Sequence, residues 1–176
     1  MSAPGDIGSA AMPSVQDVIA RIDMPLNIRR LLETGPILTR ETLTPKSVPG
    51  LSDLLVPWHR RDGCPVIHRL GTDPALFPRV VIDLPKQGDQ ALSIGEVAAS
   101  TGPAHPWFKP GSIRHDPPPM GWYPAYNVGA GRRLLLDGNH RCISLVRSGI
   151  AYSIDLIVIN APVRGDILPD LAVFEE

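Results

Sequence analysis

Leu134-Leu135-Leu136-Asp137-Gly138-Asn139-His140-Arg141-Cys142-Ile143 is the stretch on which the fold turns. Three leucines read as the end of a buried strand, Asp-Gly as a turn, and the residues after it as a helix. The helix runs from Asn139 to about Ser148, with Cys142, Ile143, Val146 and Ile150 on one face and Gly149 as its cap. A strand that turns straight into a helix gathers unpaired backbone N–H groups and the positive end of the helix dipole at one point. Phosphate binds at such points. Gly138 lets a ligand approach the backbone, and Arg141 offers a fork of donors from the first helical turn. His140 adds a donor or a proton acceptor. Asp137 suits either a magnesium ion that bridges phosphates or the removal of a proton from an attacking hydroxyl. A plain helix cap by Asp137 or Asn139 accounts for the same residues without any ligand.

Working outward, Tyr126-Asn127-Val128 and Arg133 to Leu136 flank Gly129-Ala130-Gly131 as a hairpin. Tyr152 to Ile159 is apolar on both faces and predicts an internal strand. Upstream, Arg79 to Leu84 is β-branched and stops at Pro85, as a strand does. Ser93-Ile94-Gly95-Glu96 has capping-box spacing ahead of Val97-Ala98-Ala99. Between this helix and the hairpin, His105 to Pro124 holds six prolines with Trp107, Phe108, Trp122 and Tyr123, and predicts an ordered loop without regular structure. Those aromatics suit either stacking over a ligand or anchoring the loop to the core. His105 and His115 lack metal-ligand spacing to each other.

Residues 1–12 are small and Gly/Ala/Ser-rich and read as a disordered lead. Residues 13–78 read as a helical N-terminal extension to a core at 79–176. One helix follows the capping box at Ser14 to Asp17, and a second spans Leu26 to Thr34 and stops at Gly35-Pro36. From Thr39 to Pro78 the pattern fixes little: a helical turn or two at Leu51 to Val56 and a strand at Pro65 to Leu70. Three roles stay open for residues 1–78: a substrate lid, the contact of a homodimer, or a docking surface.

A chain of 176 residues supports one well-buried core. Its 20 prolines and 16 glycines imply long irregular connections. A formal net charge of −1 gives no global attraction to nucleic acid or to an anionic membrane, so an anion site must be local. Cys64 and Cys142 lie outside any zinc or redox spacing and are expected to be reduced. With neither a secretion signal nor an apolar run long enough to span a bilayer, the sequence reads as cytoplasmic.

Leu134 to Ile143 resembles the strand-turn-helix signature of the ParB/sulfiredoxin superfamily. The resemblance extends over about half the chain, taking in Val80 to Leu84, the Ser93-Ile94 helix start, the hairpin and Ile154 to Ile159. It implies an α/β fold with a small mixed sheet and flanking helices. It also implies that Gly138, Asn139, His140 and Arg141 bind nucleotide phosphates. Sulfiredoxins carry a cysteine immediately before the His-Arg pair, where this chain has Asn139, so the resemblance does not extend to peroxiredoxin repair. Partition proteins use Gly-Glu-Arg-Arg and a following DNA-binding domain. The free-serine kinase branch has Asp-Gly-His-His-Arg, which Asp137 to Arg141 matches at every position but Asn139. That branch implies ATP or ADP with Mg²⁺, a small hydroxyl-bearing substrate, Asp137 and His140 as catalytic groups, and Asp137 as metal ligand. Its upstream catalytic glutamate corresponds to Glu96, although a capping box accounts for Glu96 equally well. Two other activities are compatible with the superfamily: a non-catalytic nucleotide-responsive module, and a nuclease, which calls for a basic channel that the net charge does not suggest.

Overall fold

The computed structural model describes residues 11–22, 24–60, 67–69, 80–81, 89–100, 121–149 and 151–175. Within them the protein is mixed α/β, a mixed sheet flanked by helices. Its strands are β1 (Ile37–Leu43), β2 (Leu55–Arg60), β3 (Ile67–Arg69), β4 (Val80–Val81), β5 (Gln90–Ser93), β6 (Trp122–Asn127), β7 (Arg133–Leu135) and β8 (Ile154–Asn160). They lie in the order β1-β8-β6-β7-β2-β3-β4, with β5 paired to β2. The helices are α1 (Val15–Ile19), α2 (Ile28–Glu33), α3 (Ile94–Ser100) and α4 (Asn139–Ser148). None of the described helices is long and apolar enough to cross a membrane.

Strand alternation sends successive side chains to opposite faces, and this builds two cores. On one face Tyr123, Ala125, Leu135, Leu156 and Val158 pack with Val56 and Trp58 beneath α3 and α4. On the other, Tyr126, Leu134, Leu136, Ile157 and Ile159 pack beneath Val18, Leu31 and the C-terminal 3-10 segment Pro169–Phe174. Strand β8 lies between β1 and β6 and buries residues on both faces, which explains the consecutive apolar residues Leu156 to Ile159. Burial pushes the Tyr126 hydroxyl up to about 12, and that hydroxyl donates to the Pro162 carbonyl at 2.8 Å.

The 13–78 stretch is helical only at its start. Ser14 and Asp17 form the expected capping box on α1, and Asn27 caps α2 through a 3.2 Å bond from the Arg30 N–H. From Ile37 onward the chain enters the sheet, so the expected helical extension is corrected to two short helices followed by sheet strands. Ile37-Leu38-Thr39-Arg40-Glu41-Thr42-Leu43 has three β-branched residues but no clean apolar alternation. Its strand form comes from tertiary pairing: seven residues of β1 face seven of β8, and Arg133 of β7 reaches across to Glu41 at 2.7 Å. The helical turn expected at Leu51 to Val56 is a 3-10 turn, Leu51–Asp53, that leads directly into β2.

The loop expected at 105–124 is corrected at its C-terminal end, since Trp122, Tyr123 and Pro124 belong to β6, between β8 and β7. Proline is tolerated there because of where its missing donor falls. The Pro124 carbonyl accepts from the Leu136 N–H at 2.9 Å, so the absent Pro124 N–H faces the last pair of the ladder, where β7 leaves for Asp137. His105, Trp107, Phe108 and His115 lie outside the described residues, as does most of the strand expected at 79–84.

Behind the sheet, His59 Nδ1 and Asp170 Oδ1 are 3.8 Å apart, both side chains almost fully buried. The pair joins β2 to the C-terminal 3-10 segment, and the sequence carried no signal of it.

Candidate functional site

Strands β2 and β7 run parallel, with Leu55 beside Leu134. Beyond the C-terminal end of β7, the chain turns through Asp137-Gly138 into α4, which covers Asn139–Ser148 as the sequence predicts. Pro57, Met24 and Leu136 supply apolar walls to a cavity of about 260 Å³, and Asp137 through Arg141 line the rest. Crevices beyond the carboxyl ends of parallel strands are where α/β sheets commonly place ligands. Met24 comes from the N-terminal region, for which a substrate lid is one of the three roles the sequence leaves open, although no pattern in the sequence singles out Met24. That region is held by Arg21, whose guanidinium lies 3.5 Å from the Trp122 ring centroid and donates to the Trp122 carbonyl at 3.2 Å.

The helix start is unusual in its cap. Gly138 is the N-cap residue, in the left-handed region at φ 82°, and no side-chain cap bond is made. Neither Asp137 nor Asn139 therefore caps α4 in the ordinary way. The Asp137 carboxylate instead accepts the Gly138 N–H at 2.6 Å, which fixes the turn and leaves the residue exposed. The first N–H groups of α4 thus have no side-chain oxygen from the cap position. Asn139 is 8% exposed, and its buried Oδ1 has no hydrogen-bond partner among the described residues. A buried acceptor without a donor is costly, and such groups commonly mark a place where a ligand or ordered water belongs.

His140 is exposed, its ring 5.8 Å from that of Trp58 and tilted by 49°. Arg141 is exposed at the first turn. Tyr123, which sequence reading assigned to the aromatic loop, comes up from β6 behind the turn. A Cβ on Gly138 would meet its Cδ1 at 2.2 Å, so the glycine and the ring are in direct contact. Burial raises the Tyr123 hydroxyl above its ordinary value, and the Arg141 guanidinium beside it, acting as a hydrogen-bond donor, opposes that rise. One clue was present: Trp122-Tyr123-Pro124-Ala125-Tyr126 is rich in strand-forming aromatics, but its proline decided the reading. Cys142 is fully buried on the inner face of α4, and burial pushes its thiol up to about 12, so it stays protonated and unreactive.

Glu96 does not join this group. Its Oε2 accepts the Ser93 N–H at 2.7 Å while its own N–H donates to Ser93 Oγ at 3.1 Å, a complete capping box on α3. Ser93→Ala is expected to lower stability by about 1 kcal/mol. Glu96→Gln, which keeps the reciprocal bond, is expected to melt with the parent and to retain whatever turnover the parent has. Chemical denaturation and a turnover assay on the two variants check this.

A larger cavity, about 450 Å³, opens beside the hairpin tip between Asp89, Arg132 and Glu175. Its charges are already engaged: Arg132 stands over the Phe174 ring at 5.4 Å, and a Glu175 oxygen accepts the Gly165 N–H. Among the described residues that line it, none belongs to the first turn of an α-helix, so the smaller cavity is the better anion site.

Among the described residues, no three His, Cys, Asp or Glu side chains are grouped to hold a metal ion. A magnesium ion held mainly by phosphates and water needs only one or two carboxylates. Exposed Asp137, at the mouth of the phosphate-sized cavity, fits that requirement. No protein-family model, curated protein or solved structure matches the chain.

Proposed function

We propose that this protein is a ParB/sulfiredoxin-like nucleotide-binding protein that transfers a phosphoryl group from ATP or ADP to a small hydroxyl-bearing metabolite. The observation that carries the reading is the uncapped first turn of α4. Gly138 offers no side chain, yet the turn is held rigidly open by the Asp137 carboxylate and the Tyr123 ring. The strand-turn-helix-strand order from β7 through α4 to β8 supports the same family.

The first-turn N–H groups and the helix dipole hold the phosphate, and Arg141 adds a charged fork. His140, beside Trp58, donates to a phosphate oxygen as charge moves onto it. At about 260 Å³ the cavity suits a polyphosphate better than a whole nucleotide, so sugar and base extend out of it. Magnesium, when bound, would supply neutralisation of the phosphate charge. Asp137 stands at the mouth, where it holds that ion or takes the proton of the acceptor hydroxyl.

A second reading is a nucleotide-responsive binding module without catalysis. The short bond from Gly138 N–H to Asp137 favours it, because that bond occupies one oxygen of the only carboxylate among the described residues that line the cavity. Calorimetry with ATP, ADP, CTP and GTP in magnesium tests both readings, followed by product analysis against a panel of small alcohols and amino alcohols. Product supports the enzyme, tight binding without product supports the module, and absence of binding at millimolar nucleotide sinks both. Arg141→Ala is expected to weaken nucleotide binding about tenfold to a hundredfold, the value of roughly 1.5–3 kcal/mol for a charge-assisted hydrogen bond.

A further inference from the structure

We infer that Met24 is a specificity-determining residue of the cavity at the start of α4, and that the acceptor it selects is an alcohol on a short hydrocarbon chain, not a polyol. This rests on the phosphate reading above and narrows its substrate class. The cavity of about 260 Å³ is lined by two unlike sets of residues. Asp137 through Arg141 form the polar set, which includes Asn139, whose buried Oδ1 has no hydrogen-bond partner among the described residues. Met24, Pro57 and Leu136 form the other, and no side chain among them carries a strong hydrogen-bonding group. Leu136 is 2% exposed and Pro57 is buried in β2, whereas Met24 is half-buried, so Met24 is the one of the three with side-chain surface left to offer a ligand. Its place is fixed by contacts on both sides in the chain. Before it, Arg21 stacks on the Trp122 ring at 3.5 Å and donates to the Trp122 carbonyl at 3.2 Å. After it, the Leu26 N–H donates to the Met24 carbonyl at 2.6 Å, and the Asn27 N–H donates to the Ile167 carbonyl at 2.7 Å.

An apolar side chain held in a phosphate cavity has a chemical consequence. The sugar and base of the donor extend out of a cavity of this size, so the atoms that share it with the transferred phosphoryl group are the first carbons of the acceptor. Methylene groups that lose water against Met24 gain from the burial. Hydroxyls in the same place lose water and find no partner on Met24, Pro57 or Leu136, which costs affinity. Methionine is unbranched and adapts to what it packs on, so it selects for apolar character and not for one exact outline. The discrimination is therefore graded, since an apolar wall rejects an added hydroxyl by about a hundredfold at most.

Phosphorus NMR titrations with n-propyl phosphate, glycerol phosphate and inorganic phosphate test this on the parent, Met24→Ala and Met24→Leu. The two esters share a three-carbon chain and differ by two hydroxyls. The parent should bind propyl phosphate about four- to fifteenfold more tightly than glycerol phosphate, the effect of one or two buried methylenes. Met24→Ala should erase that preference and leave inorganic phosphate bound as in the parent, and Met24→Leu should keep the preference. A parent that binds inorganic phosphate but holds both esters equally would overturn this inference and leave the phosphate site standing. A preference that survives Met24→Ala overturns the role of Met24, and so does a Met24→Ala variant that loses inorganic phosphate as well, which would make the residue structural. A parent that binds none of the three probes removes the phosphate site and this inference together.

Discussion

Asp137→Asn is expected to keep nucleotide affinity within a few fold of the parent while turnover falls by roughly a hundredfold or more. The substitution is nearly isosteric. Asparagine Oδ1 still accepts the Gly138 N–H that Asp137 accepts at 2.6 Å, so the turn keeps its brace and the first-turn N–H groups keep their direction. What disappears is the charge, and with it the ability to hold a cation between phosphates or to take a proton from an incoming hydroxyl. Phosphoryl transfer relies on positioning and charge stabilisation, so a lost carboxylate is felt in the transition state more than in the bound nucleotide. Isothermal titration and single-turnover kinetics on one preparation separate the two effects. Equal losses in binding and turnover would make Asp137 a component of the phosphate cradle. Unchanged turnover would leave it as a turn brace and nothing more.

The part of the site legible in the sequence is the part encoded by neighbouring residues. Asn139 to Ser148 form α4 because Cys142 and Ile143 recur on one face and Gly149 ends the helix in the left-handed conformation, all local signals. The capping boxes at Ser14 and Ser93 were legible for the same reason: each links residues three apart. The missed features depend on residues far apart in the chain. Strand β1 carries Arg40 and Glu41 at its centre and gains its form from β8, more than a hundred residues later. Met24 reaches the cavity because Arg21 stacks on Trp122, a contact that no local pattern announces. Tyr123 was hidden by Pro124, which reads as a strand breaker until the ladder is seen to end there. The cap on α4 also departs from the sequence expectation. Asp137 and Asn139 are both good N-caps by type, yet glycine takes that position and the Asn139 amide is buried.

Gly138→Ala follows from that last departure, and it is expected to have the largest effect on stability of any single methyl added to the site. At φ 82° an L-residue is strained by about 1–2 kcal/mol, whatever surrounds it. Here the new methyl also falls 2.2 Å from Tyr123 Cδ1, and the ring has no easy retreat because it is buried in a strand paired on both sides. Overpacking of this kind costs about a further 1–3 kcal/mol. The sum, roughly 2–5 kcal/mol, corresponds to a melting temperature lower by about 5–20 °C for a chain of this size. Gly149→Ala provides the internal control: it sits at φ 62° at the other end of α4, with nothing within 4 Å of the added methyl, and should show the backbone strain without the clash. The excess loss at Gly138 over Gly149 therefore measures the contact with Tyr123. If the two variants melt together, the ring yields freely and the turn is not held from behind. Where Gly138→Ala remains folded, its nucleotide affinity should fall by at least tenfold, because a turn forced away from Tyr123 no longer aims its N–H groups at a common point. A folded Gly138→Ala protein that binds nucleotide as the parent does would mean that the phosphate lies elsewhere than on this turn.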